Sequence, residues 1–401
     1  MHKIRVLHVI GSSKFGGAST IILELCRLVR RNGWDVDVLA DDPIFQQAVL
    51  DDGLGSVPMP GIDRAIRPWK DFAALFRLYR FLRESKYTLV HTHTSKGGFL
   101  GRIAARLAGV PVIIHTAHGF AIHEKSPFWQ KLSYAALERF AASCCDAVVC
   151  VSEFHRAWGE RLHLAPRKKL FAIPNGIRPD TLQPSLSAAL VRRSIRVRAG
   201  TTVLLCPGRL ARQKGIEYLL AAVAQLRQTL GDSFHLYIAG DGPARKEYEQ
   251  LAHRLDLHQH VSFLGFRNDI PNLLAAADIV VLPSIREGLS LALLEAMAAS
   301  KPIIATSIGS NREVQGALLV DPANTEQLAA AIARLCQDPH LAKCLGAYAG
   351  ALLRNRYTEK RMIEDYWQIY RELMANKGIF PDSQLEDQQQ LGQHTPAGIA
   401  S

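Results

Sequence analysis

The segment SIREGLSLALLEAMA, residues 284–298, decides how the second half of the chain folds. The apolar run Ile279–Leu282 precedes it and predicts a buried parallel strand that Pro283 ends. Gly288 predicts a tight turn, and residues 289–299 predict a helix. A strand, a loop and a helix start in this order make a ready site for phosphate or sugar hydroxyls, because free backbone N–H groups of the first helical turn face the ligand.

Two carboxylates bracket this turn. Glu287 lies in the loop and Glu295 lies two turns into the helix, eight positions later. We expect the N–H groups around Leu289 and Ser290 to face an anion, and Glu295 to accept hydrogen bonds from vicinal hydroxyls such as those of a ribose. Two glutamates at this spacing also occur by chance in helical proteins, so the pattern needs support from the rest of the chain.

That support begins at residues 202–206, an apolar run that enters PGRLARQKG, residues 207–215. Arg209 and Lys214 flank a turn at a predicted helix start. An arginine and a lysine that converge there can neutralise a diphosphate, with the guanidinium acting as a bidentate fork. A solvated basic turn is the plainer interpretation.

The length of 401 residues suits two domains of ordinary size, and a hydrophobic content of 48% lets each bury a core. Strands and helices alternate in both halves, and glycine turns follow the strands. This pattern predicts an α/β protein built from two doubly wound parallel sheets.

The charge of the chain is uneven. The net charge is +11, and residues 1–180 hold 25 basic against 16 acidic side chains. A basic first domain suits an anionic membrane or a phosphorylated acceptor. Nucleic acid is the other candidate, but we find no RNA-binding signature, zinc-finger spacing or recognition-helix pattern.

Residues 66–86 predict a basic amphipathic helix. The charged side chains are all basic except Asp71 and Glu84. The apolar side chains recur at helical spacing, and they are Trp69, Phe72, Leu75, Phe76, Tyr79 and Leu82. Such a helix can pack on the sheet with a solvated basic flank, or dock on anionic lipid. A helix packed on one side and basic on the other serves both purposes.

The seven cysteines include no C-x-x-C pair, which is typical of a reduced cytosolic protein. We see no signal peptide and no apolar run near the ~20 residues that span a bilayer. The expected location is cytoplasmic, with peripheral contact at the inner face of the cell membrane.

Polar and glycine-rich loops follow the predicted strands of the first half. The turn GSSKFGGA, residues 11–18, is not a nicotinamide fingerprint, and a plain strand–helix turn is the alternative to a ligand loop. HTHTSKGG, residues 91–98, is a second candidate ligand loop. His91 and His93 point the same way but lack an evident third metal ligand, and the pair Asp35 and Asp37 fits solvent-facing strand positions. We therefore expect no metal.

These blocks, in this order, resemble the retaining glycosyltransferases of family four, which have the GT-B architecture. The matching motifs are E-x7-E from Glu287, G-R-x-x-x-x-K-G from Gly208, G-D-G-P from Gly240 and P-N-G-I from Pro174. HTHTSKGGFLGR, residues 91–102, together with HTAHGF, residues 115–120, closely resembles the subgroup that builds capsule, exopolysaccharide and O-antigen repeats on a polyprenyl-diphosphate carrier.

The resemblance implies two Rossmann-like domains that face each other across a cleft. The implied ranges are an acceptor-binding domain over 1–184, a nucleotide-sugar domain over 185–357, a helix over 358–376 that crosses back to the first domain, and a disordered tail over 377–401. It also implies the site. The catalytic residues are His118, Arg209, Lys214 and Glu287; the donor-binding residues are Gly16, Gly17, Gly208, Gly240, Asp241, Phe266, Gly288, Leu289, Ser290 and Glu295; the acceptor-binding residues are His93, Ser95 and Lys96.

The implied function is transfer of a hexose or N-acetylhexosamine from a nucleotide diphosphate sugar, with UDP the expected nucleotide, to a polyprenyl-diphosphate-linked sugar. No cofactor is expected. One loop departs from the family, since Ile308-Gly309-Ser310-Asn311 lacks the usual double glycine, and this leaves the donor sugar open. Two alternatives remain: a phosphorylase or sugar-phosphate synthase that uses soluble substrates, and a non-catalytic sugar-nucleotide sensor.

Overall fold

The computed structural model describes residues 3–11, 16–58, 62, 65–122 and 126–379. The centre of the predicted loop 11–18 and the predicted tail from residue 380 on lie outside these residues. The chain divides into two compact units. The first holds the described residues up to Cys150, Trp158–Ile173 and those from Ile363 on; the second holds Val151–Ala157 and Pro174–Met362.

The first unit contains a seven-stranded parallel sheet in the order β3-β2-β1-β4-β5-β6-β7. Its strands are β1 Arg5–Gly11, β2 Asp35–Ala40, β3 Gly55–Pro58, β4 Leu89–His93, β5 Val112–Ala117, β6 Ala147–Cys150 and β7 Leu170–Ala172. The helices between them are α1 Gly17–Arg31, α2 Pro43–Asp51, α3 Pro68–Ser85, α4 Ser95–Leu107, α5 Phe128–Ser143 and α6 Glu153–Arg161, and Arg167–Lys169 forms a 3₁₀ turn.

The second unit contains a six-stranded parallel sheet in the order β10-β9-β8-β11-β12-β13. Its strands are β8 Thr202–Pro207, β9 Phe234–Ala239, β10 Val261–Gly265, β11 Ile279–Leu282, β12 Ile303–Thr306 and β13 Leu318–Val320. Its helices are α7 Ala188–Ser194, α8 Ile216–Leu230, α9 Arg245–Arg254, α10 Ile270–Ala276, α11 Leu291–Ala298, α12 Gly309–Glu313, α13 Thr325–Gln337 and α14 Pro339–Arg356, with 3₁₀ turns at Pro179–Leu182 and Arg212–Lys214.

The central strands of the second sheet, β8, β11 and β12, are buried on both faces. Along β8, Leu204 packs into one cluster of core residues and its neighbour Leu205 packs into another. Helices cover both sides of such a parallel sheet, so its strands are continuous apolar runs rather than alternating ones. This explains why the short runs in the sequence predicted the strands well.

The last helix, α15 Glu359–Ala375, begins in the second unit and continues into the first from Ile363. Within the first unit its ring Trp367 lies 4.5 Å from that of Trp34. The hydroxyl of Tyr370 lies 2.6 Å from Nδ1 of His91. The predicted fold of two doubly wound parallel sheets with a returning C-terminal helix is confirmed.

The predicted basic helix forms as α3, but its aromatic side chains do not face the core. Ala74, Leu78 and Leu82 are its buried residues. Trp69 and Phe72 are exposed by 89% and 68%. The helix does pack on the unit, and Leu82 of the predicted apolar set takes part, but Ala74 and Leu78 make the rest of the contact while the rings of Trp69 and Phe72 face outward.

Each sheet has one topological switch point, where the strand order reverses. It lies between β1 and β4 in the first unit and between β8 and β11 in the second. Loops that leave two such strands diverge to opposite faces of the sheet and leave a crevice at its carboxyl edge. The sequence motifs that follow these four strands are therefore brought to the positions where open α/β sheets bind ligands.

Candidate active site

At the switch point of the second unit, two loops are fastened to each other. The backbone N–H of Ile285 donates to the carbonyl of Gln213 at 2.8 Å. Gly215 has a φ of +64°, and a Cβ there would lie 2.2 Å from the carbonyl oxygen of Pro283. Only glycine fits this close approach. The loop after β8 and the loop after β11 are thus held together by a hydrogen bond and by close backbone packing.

Lys214 and Glu287, predicted from two separate motifs, meet between these loops as an ion pair. The side chains are 19% and 12% exposed. The hydroxyl of Ser284 donates to the same carboxylate oxygen of Glu287 at 2.9 Å. Because Glu287 holds its position through two partners, it fixes the ammonium group of Lys214 over the turn at Gly208.

Arg209 lies on the rim of this site. It is exposed, and it makes no ion pair among the described residues. Together with Lys214 and Ser284 it lines a small cavity at the ends of β8 and β11. A free guanidinium beside a held ammonium group is an arrangement that binds a diphosphate.

Glu295 lies four residues into α11 and is partly buried. Burial raises the pKa of its carboxyl to about 7, and the charge of Lys214 acts in the opposite direction. Glu295 is therefore partly protonated near neutral pH. A carboxyl in this state can both accept and donate hydrogen bonds to vicinal hydroxyls.

The turn after β9 presses against the turn after β8. A Cβ on Gly240, whose φ is +155°, would lie 1.9 Å from the carbonyl oxygen of Gly208. The carboxylate of Asp241 accepts from the N–H of Gly242 at 2.6 Å and pairs with Arg245 at 3.2 Å. Phe266, just after β10, presents a ring that is 72% exposed. An exposed ring at the carboxyl edge of the sheet offers a stacking surface.

The loop of Gly288, Leu289 and Ser290 is held by a residue whose role the sequence did not reveal. The amide nitrogen of Asn175 donates to the carbonyl of Leu289 at 2.9 Å. The P-N-G-I motif that contains Asn175 supported the family resemblance but gave no role to this residue. Ser290 is the N-cap residue of α11 and makes no side-chain capping bond, so the first N–H groups of the helix stay available to a ligand.

The switch point of the first unit is lined by histidines. His93 lies in the middle of a chain: its Nε2 is 3.0 Å from Nδ1 of His8, and its Nδ1 is 3.2 Å from Nε2 of His118. His91 contacts Thr116 and Tyr370 through its two ring nitrogens. The rings of His8, His91 and His93 are fully buried, whereas His118 is partly exposed.

Burial keeps these rings neutral. It lowers the pKa of His8 to about 3 and that of His118 to about 4. It also holds the pKa of His91, His93 and His115 well below the ordinary value near 6.5. The first switch point therefore presents neutral donors and acceptors, with no histidine charge.

His8 was missed by the sequence analysis. It was visible as the polar residue inside the apolar run Val6–Ile10, and the register of the sheet pairs it with His91. His115 packs as expected, with its Nδ1 3.0 Å from the hydroxyl of Thr92.

The remaining predicted residues of the first unit lie around the same edge. Gly16 and Gly17 are exposed at the start of α1, and Ser95 is exposed at the start of α4. Lys96 instead forms an ion pair with Asp71 and donates to the carbonyl of Ala65 at 2.5 Å. Asp35 and Asp37 also have protein partners: Lys3 lies 2.7 Å from Asp35, and the hydroxyl of Tyr87 lies 2.7 Å from Asp37.

Family models match both halves of the chain. The model described as Glycosyltransferase Family 4 matches residues 15–181. The model described as Glycosyl transferases group 1 matches residues 189–351.

Relatives and solved structures cover nearly the whole chain. The UDP-Gal:alpha-D-GlcNAc-diphosphoundecaprenol alpha-1,3-galactosyltransferase of Escherichia coli is 31% identical over 94% of this chain and 98% of its own length. The putative glycosyltransferase EpsD of Bacillus subtilis (strain 168) is 31% identical over 86% of this chain and 91% of its own. The crystal structure of Anabaena HepE in complex with UDP-glucose has a TM-score of 0.78 at 22% identity, covering 92% of this chain and 99% of that one.

The two parallel-sheet units, each with a polar switch point, have the GT-B fold, and the family models and the relatives identify a glycosyltransferase. The chain belongs to glycosyltransferase family 4. The predicted family and fold are confirmed. Among the described residues, no helix is long and apolar enough to cross a membrane.

Proposed function

We propose that this glycosyltransferase moves a hexose or N-acetylhexosamine from a UDP-sugar to a polyprenyl-diphosphate-linked sugar, with retention of configuration and without a metal. The observation that carries the proposal is the site in the second unit. Lys214 is held by Glu287 at the switch point, and Arg209 stands unpaired beside it among the described residues. A fixed ammonium and a free guanidinium provide the positive charge that a leaving diphosphate requires.

The relatives support the choice of substrates. The Escherichia coli enzyme is named for a UDP-galactose donor and a GlcNAc-diphosphoundecaprenol acceptor, and the HepE structures contain UDP and UDP-glucose. At 31% identity the transfer of these chemical classes to this chain is our proposal. The particular sugar depends on side chains around residues 308–311, the loop that lacks the double glycine usual in the family.

In the proposed reaction, the bond between the anomeric carbon and the diphosphate oxygen breaks. The acceptor hydroxyl oxygen bonds to the same face of that carbon, and its proton passes to the departing phosphate oxygen. Arg209 and Lys214 stabilise the charge that develops on the diphosphate. Glu287 binds donor-sugar hydroxyls and Glu295 the ribose, while His118 positions the reacting carbon.

We also propose that the acceptor is met at the cytoplasmic membrane surface, where residues 66–86 contact anionic lipid. The exposed rings of Trp69, Phe72 and Phe76 on α3 support this contact. Arg77, Arg80 and Arg83 lie on the same helix, beginning directly after Phe76. Aromatic rings at headgroup level beside basic side chains are typical of interfacial helices.

The test is transfer from a panel of radiolabelled nucleotide sugars into membranes that carry lipid-linked monosaccharides, with and without EDTA. We expect label in the lipid fraction that is insensitive to EDTA and falls roughly 100-fold in Arg209→Ala. Arg212→Ala is the matched control, since Arg212 lies three residues away and pairs at the surface with Glu247 at 3.3 Å.

Three other outcomes would contradict parts of the proposal. Binding of UDP-sugar without turnover would favour the sensor. Transfer to soluble sugars with no lipid product would remove the acceptor claim. Loss of activity in EDTA, restored by a divalent cation, would remove the claim that the basic pair replaces a metal.

A further inference from the structure

The outward face of α5 is apolar, although nothing among the described residues covers it. Trp129, Leu132 and Phe140 are exposed by 66%, 59% and 57%. Their spacing places them on one side of the helix. The opposite side, with Ala135, Glu138 and Ala141, is the buried one.

Helix α5 belongs to the same helical layer as α3. Between them lies α4, which contacts α3 through the ion pair of Lys96 with Asp71. It contacts α5 through Arg102, whose Nη1 is 2.6 Å from the carboxylate of Glu138. The outward faces of α3 and α5 therefore flank α4 on one side of the unit.

The segment that contains this layer also holds most of the net positive charge of the chain. Residues 66–143 contain 12 Lys and Arg but only 4 Asp and Glu, in a chain whose net charge is +11. Exposed aromatic patches mark interaction surfaces, and a basic aromatic surface is complementary to an anionic bilayer. A second copy of the same face would repel it through like charge.

We propose that α3 and α5 form one two-helix docking surface for an anionic bilayer, with the aromatic side chains in the headgroup region. The inference rests on the proposed lipid-linked acceptor, and it adds α5, a helix that the sequence pattern did not single out, to the lipid contact proposed for α3. Two helices that dock together fix the orientation of the unit on the membrane, which a single helix does not.

Co-sedimentation with phosphatidylcholine vesicles, with and without phosphatidylglycerol, tests the surface. We expect the double variant Trp129→Ser/Leu132→Ser to bind anionic vesicles roughly tenfold more weakly, and Trp69→Ser/Phe72→Ser to show a similar loss. The matched control is Ile44→Ser/Leu50→Ser on α2, whose side chains are 68% and 54% exposed. This control should bind as the wild type does.

Vesicle binding by the α5 variant at the wild-type level would overturn the proposal. So would a change in oligomeric state on size-exclusion chromatography, since the face would then be a protein interface. Transfer to a detergent-solubilised lipid-linked acceptor should be unchanged in the α5 variant. If the wild type binds vesicles but transfers no sugar, the proposed function fails while the surface stands.

A second observation carries a separate inference. Each neutral imidazole has one donor and one acceptor, so the chain from His8 through His93 to His118 has a single direction. Nε2 of His8 is buried without a hydrogen-bond partner among the described residues. A buried nitrogen lone pair is left unpaired more readily than a buried N–H. His8 therefore donates to His93, and His93 donates from Nδ1 to Nε2 of His118.

One ring nitrogen each of His8, His91 and His93 lies within 4.8 Å of the other two, a spacing that a metal ion could use. However, both ring nitrogens of His91 and of His93 already have protein partners. A metal would have to break several of these hydrogen bonds. The geometry favours the hydrogen-bonded chain.

We infer that His8 and His93 are positioning residues that place the proton of His118 on Nδ1, so that the Nδ1–H of His118 is the hydrogen-bond donor at this switch point. The inference rests on the proposed role of His118. Burial of the rings supports it, because a chain of fixed direction requires that its members stay neutral.

The test is the ¹⁵N spectrum of histidine-labelled protein, with the His118 signal assigned by its loss in His118→Gln. We expect the Nδ1–H tautomer in the wild type and a shift toward the Nε2–H tautomer in His8→Leu. We also expect kcat to fall about tenfold in His8→Leu with little change in the donor KM. His235→Leu, a partly buried histidine of the other unit, is the control.

An Nε2–H tautomer of His118 in the wild type would overturn the inference, as would an unchanged tautomer in His8→Leu. Stoichiometric zinc in the purified protein, lost in His8→Leu, would overturn it in favour of a metal site. The spectrum is read without substrate, so it stands apart from any failure of the proposed reaction.

Discussion

The two switch points of this protein differ in the charge of the side chains that line them. The second unit places a charged pair, Lys214 and Glu287, between the loops after β8 and β11, with Arg209 on the rim. The first unit places the neutral rings of His8, His91 and His93 between β1 and β4. Both positions follow from the same topology, since ligands bind where strand order reverses.

The difference shows that the sheet topology fixes where a ligand site forms, whereas the side chains at that position determine which ligand groups it can bind. A diphosphate needs fixed positive charge, which a loop at the rim can supply without full burial. Neutral histidines, in contrast, can direct hydrogen bonds toward hydroxyl groups from deep inside the sheet without the cost of burying an ion.

The largest effect on stability should come from removing one partner of the ion pair that is buried in the first unit. Arg102 is fully buried and pairs with Glu138 behind the histidines. Arg102→Met leaves a carboxylate unpaired and should lower the free energy of unfolding by about 3–5 kcal/mol, measured by urea denaturation.

The double variant Arg102→Met/Glu138→Leu removes both charges and should recover most of that loss. Arg106→Met on the same helix is the surface control. If Arg102→Met is as stable as this control, the first unit tolerates an unpaired charge and the contrast between the units weakens.

The next effect concerns the charged switch point. Lys214→Ala should lower kcat about 100- to 1000-fold, because a preorganised charge at the developing diphosphate is lost. Steady-state transfer with Lys246→Ala, an exposed lysine of the same unit, serves as the reference. Similar rates in the two variants would remove Lys214 from the reaction.

A smaller effect is expected at Glu295, whose pKa of about 7 lies above the ordinary value of 4.5 because of burial. The folded protein binds the extra proton between these values, so the free energy of unfolding falls as the pH rises through that range. Glu295→Gln should therefore be more stable than the wild type by about 1–3 kcal/mol at pH 8.

At pH 4 to 4.5, Glu295→Gln and the wild type should have nearly the same midpoint in thermal denaturation. The same variant should weaken UDP binding, because the proposed ribose contact changes. Equal midpoints at both pH values would show that the carboxyl is not desolvated.

The last prediction is that kcat does not change with pH in the range where an ordinary histidine titrates. Since burial lowers the pKa of His118 to about 4, the ring stays neutral above that value. The kcat of the wild type should therefore show no histidine limb between about pH 5.5 and 8. A limb near pH 6.5 that disappears in His118→Gln would contradict the neutral first switch point.

Much of the charged site was predictable because its motifs are local. Each of the segments 207–215, 240–243 and 284–298 contains its own strand end, glycine turn and helix start, so spacing alone reveals the loop. The contacts between the segments were not predictable from spacing. The bonds of Asn175 to Leu289 and of Ile285 to Gln213 join loops that are far apart in the chain.

The outward aromatic face shows where a pattern is ambiguous. On α3 both faces contain apolar residues at helical spacing, and the sequence favoured the larger ones, such as Trp69 and Phe72, for the packed side. The structure buries Ala74, Leu78 and Leu82 and leaves these rings outward, because a helix that lies close to its neighbours accommodates aliphatic side chains better than rings.

The sequence by itself determined the class of fold, the family and the glycine-turn loops of the candidate site, because these depend on residue types at short, fixed spacings. Only the tertiary structure decided that Lys214 rests against Glu287, that His8 joins His93 and His118, and that α5 leaves an apolar face outward. These are contacts or exposures set by how distant segments pack, and packing is settled by the whole three-dimensional arrangement rather than by any local pattern.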